Sequence, residues 1–237
     1  MPSVSVESML AAMISDAHLQ GLDDPNQHLL VELLDRLNCP RVFLLGDLFH
    51  FWWGFPDVVY GDFVPVLAAL HRLRRRGTEI AYVPGNHDFE LGPFFERLDV
   101  QVASRLDLEV GGRRFVLLHG DEADTSVAYR LTRQTLRGGA FSRLMRRLGP
   151  ARAQKLGHRL AGGSRDHGAA EPSERLIQAQ IQLAERELRS ADVVVMGHSH
   201  APGVHHLEGG TYVNLGDFVR HHTWLAVTET GLELRQG

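Results

Sequence analysis

Ile80-Ala81-Tyr82-Val83-Pro84-Gly85-Asn86-His87-Asp88 reads as a buried strand that breaks at Pro-Gly and delivers an amide, an imidazole and a carboxylate at its end. Short apolar runs bounded by such breaks are strand signals. The pattern recurs four times. Met13-Ile14 leads into Ser15-Asp16-Ala17-His18, and Val42-Phe43-Leu44-Leu45 into Gly46-Asp47-Leu48-Phe49-His50. Phe115-Val116-Leu117-Leu118 leads into His119-Gly120-Asp121, and Val193-Val194-Val195-Met196 into Gly197-His198-Ser199-His200. Residues 26–37 and 63–76 carry helix-spaced apolar positions between the first three runs, a βαβαβ opening with a sheet covered on both faces. A hairpin is expected over 106–118, a helix over 172–189, and short strands at 204–207, 212–215, 224–227 and 232–234.

In an α/β sheet, ligands bind at the carboxyl ends of strands. One Asp-x-His is commonly a cap or a satisfied polar pair; five such endings in succession point to a site. Asp, Asn and His without thiolates suit hard or borderline ions such as Mn²⁺, Fe²⁺ or Zn²⁺. Seven candidate ligands exceed the roughly four that one tetrahedral zinc needs. They suit two ions sharing a carboxylate, an arrangement that clamps displacement at phosphorus.

The composition narrows the class further. The chain has 237 residues, 43% hydrophobic and 23% charged, which excludes general disorder and suits one large domain over 1–237. The lone Cys39 excludes a disulfide framework and a multi-cysteine metal site and fits a reducing compartment. Residues 1–12 lack the basic flank and long apolar stretch of a signal peptide. No run approaches the roughly 18 apolar residues of a membrane span. A formal charge of −4 argues against a global nucleic-acid binder. There are 14 histidines, and Lys155 is the only lysine among 25 lysines and arginines. G-x-S-x-G and G-x-x-x-x-G-K-[ST] elements are absent, so serine-hydrolase and P-loop readings lack their starting residues.

These motifs, in this order, resemble the calcineurin-like metallophosphoesterase superfamily. Its D-x-H, G-D, G-N-H-[DE], H-G and G-H-x-H pattern is met over nearly the whole chain. The resemblance implies an α/β fold, a two-sheet αββα sandwich with a dimetal centre in its strand-end loops. By matching positions, Asp16, His18, Asp47 and His200 hold one metal, with Asp47 bridging, and Asn86, His119 and His198 complete the second. Mn²⁺ is the expected ion. His87 is placed near the leaving group as acid or electrostatic stabiliser, with Asp88 grouped beside it as catalytic through the loop it orients. Asp121 is expected to orient a metal-bound imidazole.

Between 125 and 165 there are nine arginines and Lys155 but no Asp or Glu. Phe141, Leu144, Met145 and Leu148 fall on one helical face, and Arg143, Arg146 and Arg147 on another. Such a helix is either a solvated cationic face over a core stripe or a lid that meets anionic lipid or phosphate. Residues 123–171 are read as a helical lid insertion, with a flexible return at 162–170. The segment Gly46-Asp47-Leu48-Phe49-His50-Phe51-Trp52 resembles the G-D-L-F-[ED]-x-W element of the UDP-2,3-diacylglucosamine hydrolases of lipid A synthesis.

That resemblance implies cleavage of a pyrophosphate, giving UMP and 2,3-diacylglucosamine 1-phosphate. Tyr129, Arg133, Phe141 and Trp52 would then be substrate contacts. His50 stands where those hydrolases usually have a carboxylate, and His87 where many have Arg. The alternatives are hydrolysis of another nucleotide- or lipid-linked diphosphate, a nuclease, and a non-catalytic interaction module. The expected partners are a glycolipid nucleotide and, weakly, an anionic membrane surface, with the chain cytoplasmic and peripheral to the inner membrane. Nucleic acid is not expected, because the basic stretch lacks interleaved stacking aromatics.

Overall fold

Strand β1 (Met9–Ile14) is apolar on both faces because each face belongs to a different core. Ala12 and Ile14 face one layer, Ala11 and Met13 the other. The same alternation splits Val42 and Leu44 from Phe43 in β2 (Arg41–Leu44). Period-two packing of a doubly covered strand requires it. The computed structural model describes residues 8–136, 138–162 and 173–237.

The remaining strands are β3 (Trp52–Trp53), β4 (Glu79–Tyr82), β5 (Asp88–Glu90), β6 (Gln101–Val102), β7 (Leu106–Val110), β8 (Arg113–Leu117), β9 (Val193–Met196), β10 (Gly203–Leu207), β11 (Gly210–Asn214), β12 (Thr223–Thr228) and β13 (Leu232–Gln236). One sheet runs β13-β12-β1-β2-β4-β6, the second β10-β11-β9-β8-β7, and β3 pairs with β5 apart from both. Pairings β1–β2, β2–β4 and β8–β9 are parallel, so within each sheet the motif-bearing ends lie at one edge.

Helices α1 (Pro25–Arg36), α2 (Val64–Arg75) and α3 (Pro93–Arg97) belong to the first sheet's side. Leu30, Leu33 and Leu34 of α1 and Leu67, Leu70 and Leu73 of α2 share its outer core. A cluster including Met13, Phe43, Phe115, Leu117, Val193 and Val195 fills the space between the sheets. Beyond the second sheet, Val194 and Met196 meet Leu183 and Ala184 of α7 (Glu174–Glu187). The expected αββα sandwich is the fold.

The segment after β8 folds as α4 (Val127–Leu136), α5 (Gly139–Leu148) and α6 (Pro150–Gly162). Met145 and Ala153 are fully buried, and Phe141 and Leu148 lean on the same core. Three of the four stripe residues therefore seat the segment. Only Leu144 points outward, joined by exposed Leu131 and Leu160 on the flanking helices. Gly157 of α6 sits against the Phe51 ring so closely that a Cβ there would lie 2.2 Å from it. The expected flexible return falls mostly on residues 163–172, outside those described. Among the described residues, no helix is long and apolar enough to cross a membrane.

Candidate metal centre

The strand-end loops are stitched together by their own backbones. Asp16 N–H donates to Gly46 O (3.0 Å), His18 N–H to Asp47 O (2.9 Å), and Gly197 N–H to His119 O (2.9 Å). Side chains reinforce this: His198 N–H donates to Asp16 Oδ2 (2.9 Å) and His87 N–H to Asp47 Oδ1 (2.8 Å). Each carboxylate thus spends one oxygen on a loop and turns the other inward.

The inward atoms converge in two groups. His18 Nε2 and His200 Nε2 are 3.2 Å apart, at 3.7 and 3.3 Å from Asp16 Oδ1. Asp47 Oδ2 lies 3.8 Å from His18 Nε2 and 3.6 Å from His119 Nε2, placing it between the groups. Asn86 Oδ1 is 3.2 Å from His119 Nε2, and Asp47, His119 and His198 offer ligand atoms within 4.8 Å of one another. His119 Nδ1 must donate to Leu45 O, 2.7 Å away, because a carbonyl only accepts. That leaves Nε2 as the nitrogen a metal would take, displacing its proton, the usual orienting arrangement at metals.

The donor set fits a pair of cations. Asp16 Oδ1 is buried and accepts no hydrogen bond; a metal would satisfy it. Burial works against the charged form of Asp16, yet His18 and His200 hold its carboxyl well below the usual range. Burial also opposes charge on His119, but Asp47, Asp16 and Asp121 outweigh it and lift the imidazole to about 10. Burial and the neighbouring His119 press His198 down to about 4. Such a site draws positive charge. Seven non-glycine residues among those described have positive φ, and five are Asp16, His18, Asp47, His198 and His200. Strain held at ligand positions is characteristic of functional sites.

The other expected residues divide. His87 is at the centre, with Nδ1 bonded to His50 O (2.7 Å) and Nε2 4.0 Å from Asp47 Oδ2. Asp88 is corrected from a catalytic to a positioning role. Its buried carboxylate accepts from Asp47 N–H (2.8 Å), Gly85 N–H (3.0 Å) and Tyr82 Oη (3.1 Å), so it holds the loop and has no oxygen for substrate. Burial and the Asp47 charge push it up to about 7. Asp88→Ala should cost about 3 kcal/mol in urea unfolding, since it orphans two buried N–H groups and a hydroxyl. A loss under about 1 kcal/mol would show that the loop stands without it.

Trp52 is not a substrate contact. It is 1% exposed, stacked on Phe49, and its indole N–H donates to Leu91 O (3.0 Å). Phe141 is half-buried and packs edge-on to Trp53 at 5.8 Å. Tyr129 and Arg133 gather on Asp121, next to the centre. Tyr129 Oη donates to Asp121 (2.6 Å), Arg133 pairs with it at 2.9 Å, and the Tyr129 ring is 6.1 Å from that of His198. Both line a cavity of about 270 Å³ with Asp121, Glu122, Asp124 and Thr125.

Sequence reasoning missed Gln180 and Asn214. Buried Gln180 on α7 donates to Gly197 O (2.9 Å) and Gly120 O (3.3 Å). Its Oε1 accepts from Asn214 Nδ2 (3.0 Å), which also donates to Ser199 Oγ (2.8 Å). The loops carrying His119, His198 and His200 are tied together there.

The calcineurin-like phosphoesterase family matches residues 9–202. A UDP-2,3-diacylglucosamine hydrolase of Aeromonas hydrophila is 30% identical over 206 residues, covering 83% of this chain and 84% of that protein. One from Pseudomonas putida is 28% identical over 235 residues, covering 94% and 96%. Among solved structures, an archaeal phosphodiesterase superposes with a TM-score of 0.51 at 16% identity, covering 95% of this chain and 96% of that one, a likeness of fold. With its five strand-end motifs converging on one paired carboxylate–imidazole centre, the chain belongs to the calcineurin-like phosphoesterase family.

Proposed function

We propose that this protein hydrolyses the pyrophosphate bond of UDP-2,3-diacylglucosamine, giving UMP and 2,3-diacylglucosamine 1-phosphate. The observation that carries this reading is the paired centre lying beside an Arg-rich insertion with outward Leu131, Leu144 and Leu160. Relatives of nearly the same length bear that hydrolase's name. Two divalent ions, Mn²⁺ in our reading, would supply charge stabilisation at phosphorus and activation of the attacking water. Asp16, His18, Asp47 and His200 would hold one ion, with Asp47 shared, and Asn86, His119 and His198 the other.

Attack by water on the uridylyl phosphorus breaks its bond to the bridging oxygen, which departs with the sugar phosphate. His87 Nε2 faces this centre and stabilises that departing oxygen. His87→Ala should lower turnover about 100-fold with both metals retained. A purely structural role would instead lower the unfolding midpoint and leave the rate of the folded fraction unchanged. Arg133 and Tyr129, which line the cavity with Asp121, engage the diphosphate, for which a guanidinium fork is suited.

In this reading the described part of the insertion, helices α4 to α6, is a lid over the acyl chains, and the basic face rests on an anionic membrane at the cytoplasmic side, where each basic residue near the surface adds about 1 kcal/mol. The test incubates the protein with Mn²⁺ and UDP-2,3-diacylglucosamine, beside UDP-glucose and a short oligonucleotide. UMP released from the acylated substrate alone supports the reading; equal or faster cleavage of either control overturns the lipid assignment. Replacing Leu131, Leu144 and Leu160 together by Ser should cost about tenfold or more on the acylated substrate, measured as kcat/KM, with metal content unchanged.

A further inference from the structure

A third cluster of ligand atoms lies beside the two already described. His18, His50 and His87 offer ring nitrogens all within 4.8 Å of one another, as compact by that measure as the carboxylate-containing groups. The rings form a row. His50 is 5.8 Å from His87, and His87 is 4.9 Å from His18, edge-on. His158, carried in from α6, stands 6.0 Å from His50. His87 Nδ1 must donate its proton to the His50 carbonyl, which leaves Nε2 as the ring nitrogen that can face the cluster. The two departures noted in the sequence, His50 and His87, are therefore neighbours in space, and together they create an all-imidazole pocket.

We propose that His18, His50 and His87 form a third metal site that takes Zn²⁺, with water or His158 in the fourth position, in competition with the Asp16–His18–His200 site for His18. Three neutral imidazoles and one open position are a common zinc arrangement, whereas carboxylate-containing sets suit Mn²⁺. Zinc–nitrogen bonds of about 2.0–2.1 Å need the nitrogens drawn to about 3.3 Å apart, which side-chain torsions provide. Because one imidazole nitrogen serves one ion at a time, zinc at the new site withdraws His18 from its carboxylate partner. The competition rests on the paired-centre reading; the site itself does not.

The experiment uses the full chain and zinc alone. In the Asp16→Asn/Asp47→Asn variant the carboxylate sites are disabled while all three imidazoles remain. It should still bind about one equivalent of Zn²⁺ in competition with a chelating dye, and adding His50→Phe should weaken that binding at least about tenfold. A folded variant that binds no zinc, or zinc binding indifferent to His50→Phe, overturns the proposal. Should the double variant fail to fold, the Mn²⁺-loaded natural chain provides the second measurement. Zn²⁺ should release manganese from it more readily than from His50→Phe, and equal release overturns the proposal. Failure of the natural chain to hold two Mn²⁺ would instead count against the paired centre, so the two readings fail separately.

Discussion

Asp47→Asn should reduce phosphoester hydrolysis by about 10³-fold or more and halve the bound metal. Among the described residues its Oδ2 is the one carboxylate oxygen within 4 Å of His18 and His119 alike, and in the proposed reading it would be shared by both ions. The several kcal/mol of charge stabilisation that paired ions would contribute translate to at least three decades in rate. The isosteric amide still accepts the His87 N–H, so the loop keeps its shape. Metal content by elemental analysis and turnover of an artificial phosphodiester with Mn²⁺ check this. An undiminished rate, or full activity of the natural chain in excess chelator, would sink the dimetal assignment. Chelation should also lower the melting temperature of the natural chain more than that of Asp47→Asn, because cations relieve a buried cluster of carboxylates.

Gly197→Ala is expected to approach that damage with a single methyl group. A Cβ at Gly197 would lie 2.1 Å from Asp16 Oδ2 and 2.4 Å from Ser15 Oγ. Asp16 Oδ2 cannot retreat without losing the His198 N–H, Ser15 Cβ stands 2.8 Å away whatever its hydroxyl does, and Gly197 itself is held through its carbonyl by Gln180. The clash must then separate the β1 loop from the β9 loop, which pulls Asp16 away from His200. Loss of one bound metal and at least about 10²-fold in rate should follow, with a lowered unfolding midpoint. Metal content and rate equal to the natural chain would show that the loops are not locked together.

The strand ends were legible because chemistry and backbone agree there. Apolar runs such as Val193–Met196 end in Gly and ligand residues, and the structure places each run in a doubly covered strand. Other features left no such trace. Trp52 lies five residues from Asp47 and reads as a candidate contact; only the tertiary enclosure by Phe49, Tyr60, Phe63 and Phe95 makes it core. The 141–148 stripe is equally ambiguous, since helix periodicity marks a buried face without saying what covers it. Gln180 looks like solvent-facing polarity on an amphipathic helix. Its burial depends on carbonyls of Gly120 and Gly197, 60 and 17 residues away. The pair β3 and β5, two and three residues long, is too short for any alternation to register.

The five left-handed candidate ligand residues also bear on how this sequence responds to selection for stability. At about 1–2 kcal/mol for each non-glycine residue in that conformation, they hold at least roughly 5 kcal/mol of strain, comparable to the net stability of a small domain. Glycine or asparagine at positions 16, 18, 47, 198 or 200 would relax the backbone and take the metal ligand with it. A library of this chain sorted only by heat resistance or expression should therefore enrich inactive variants at these sites. Directed evolution of it needs metal retention or turnover as a second criterion from the first round.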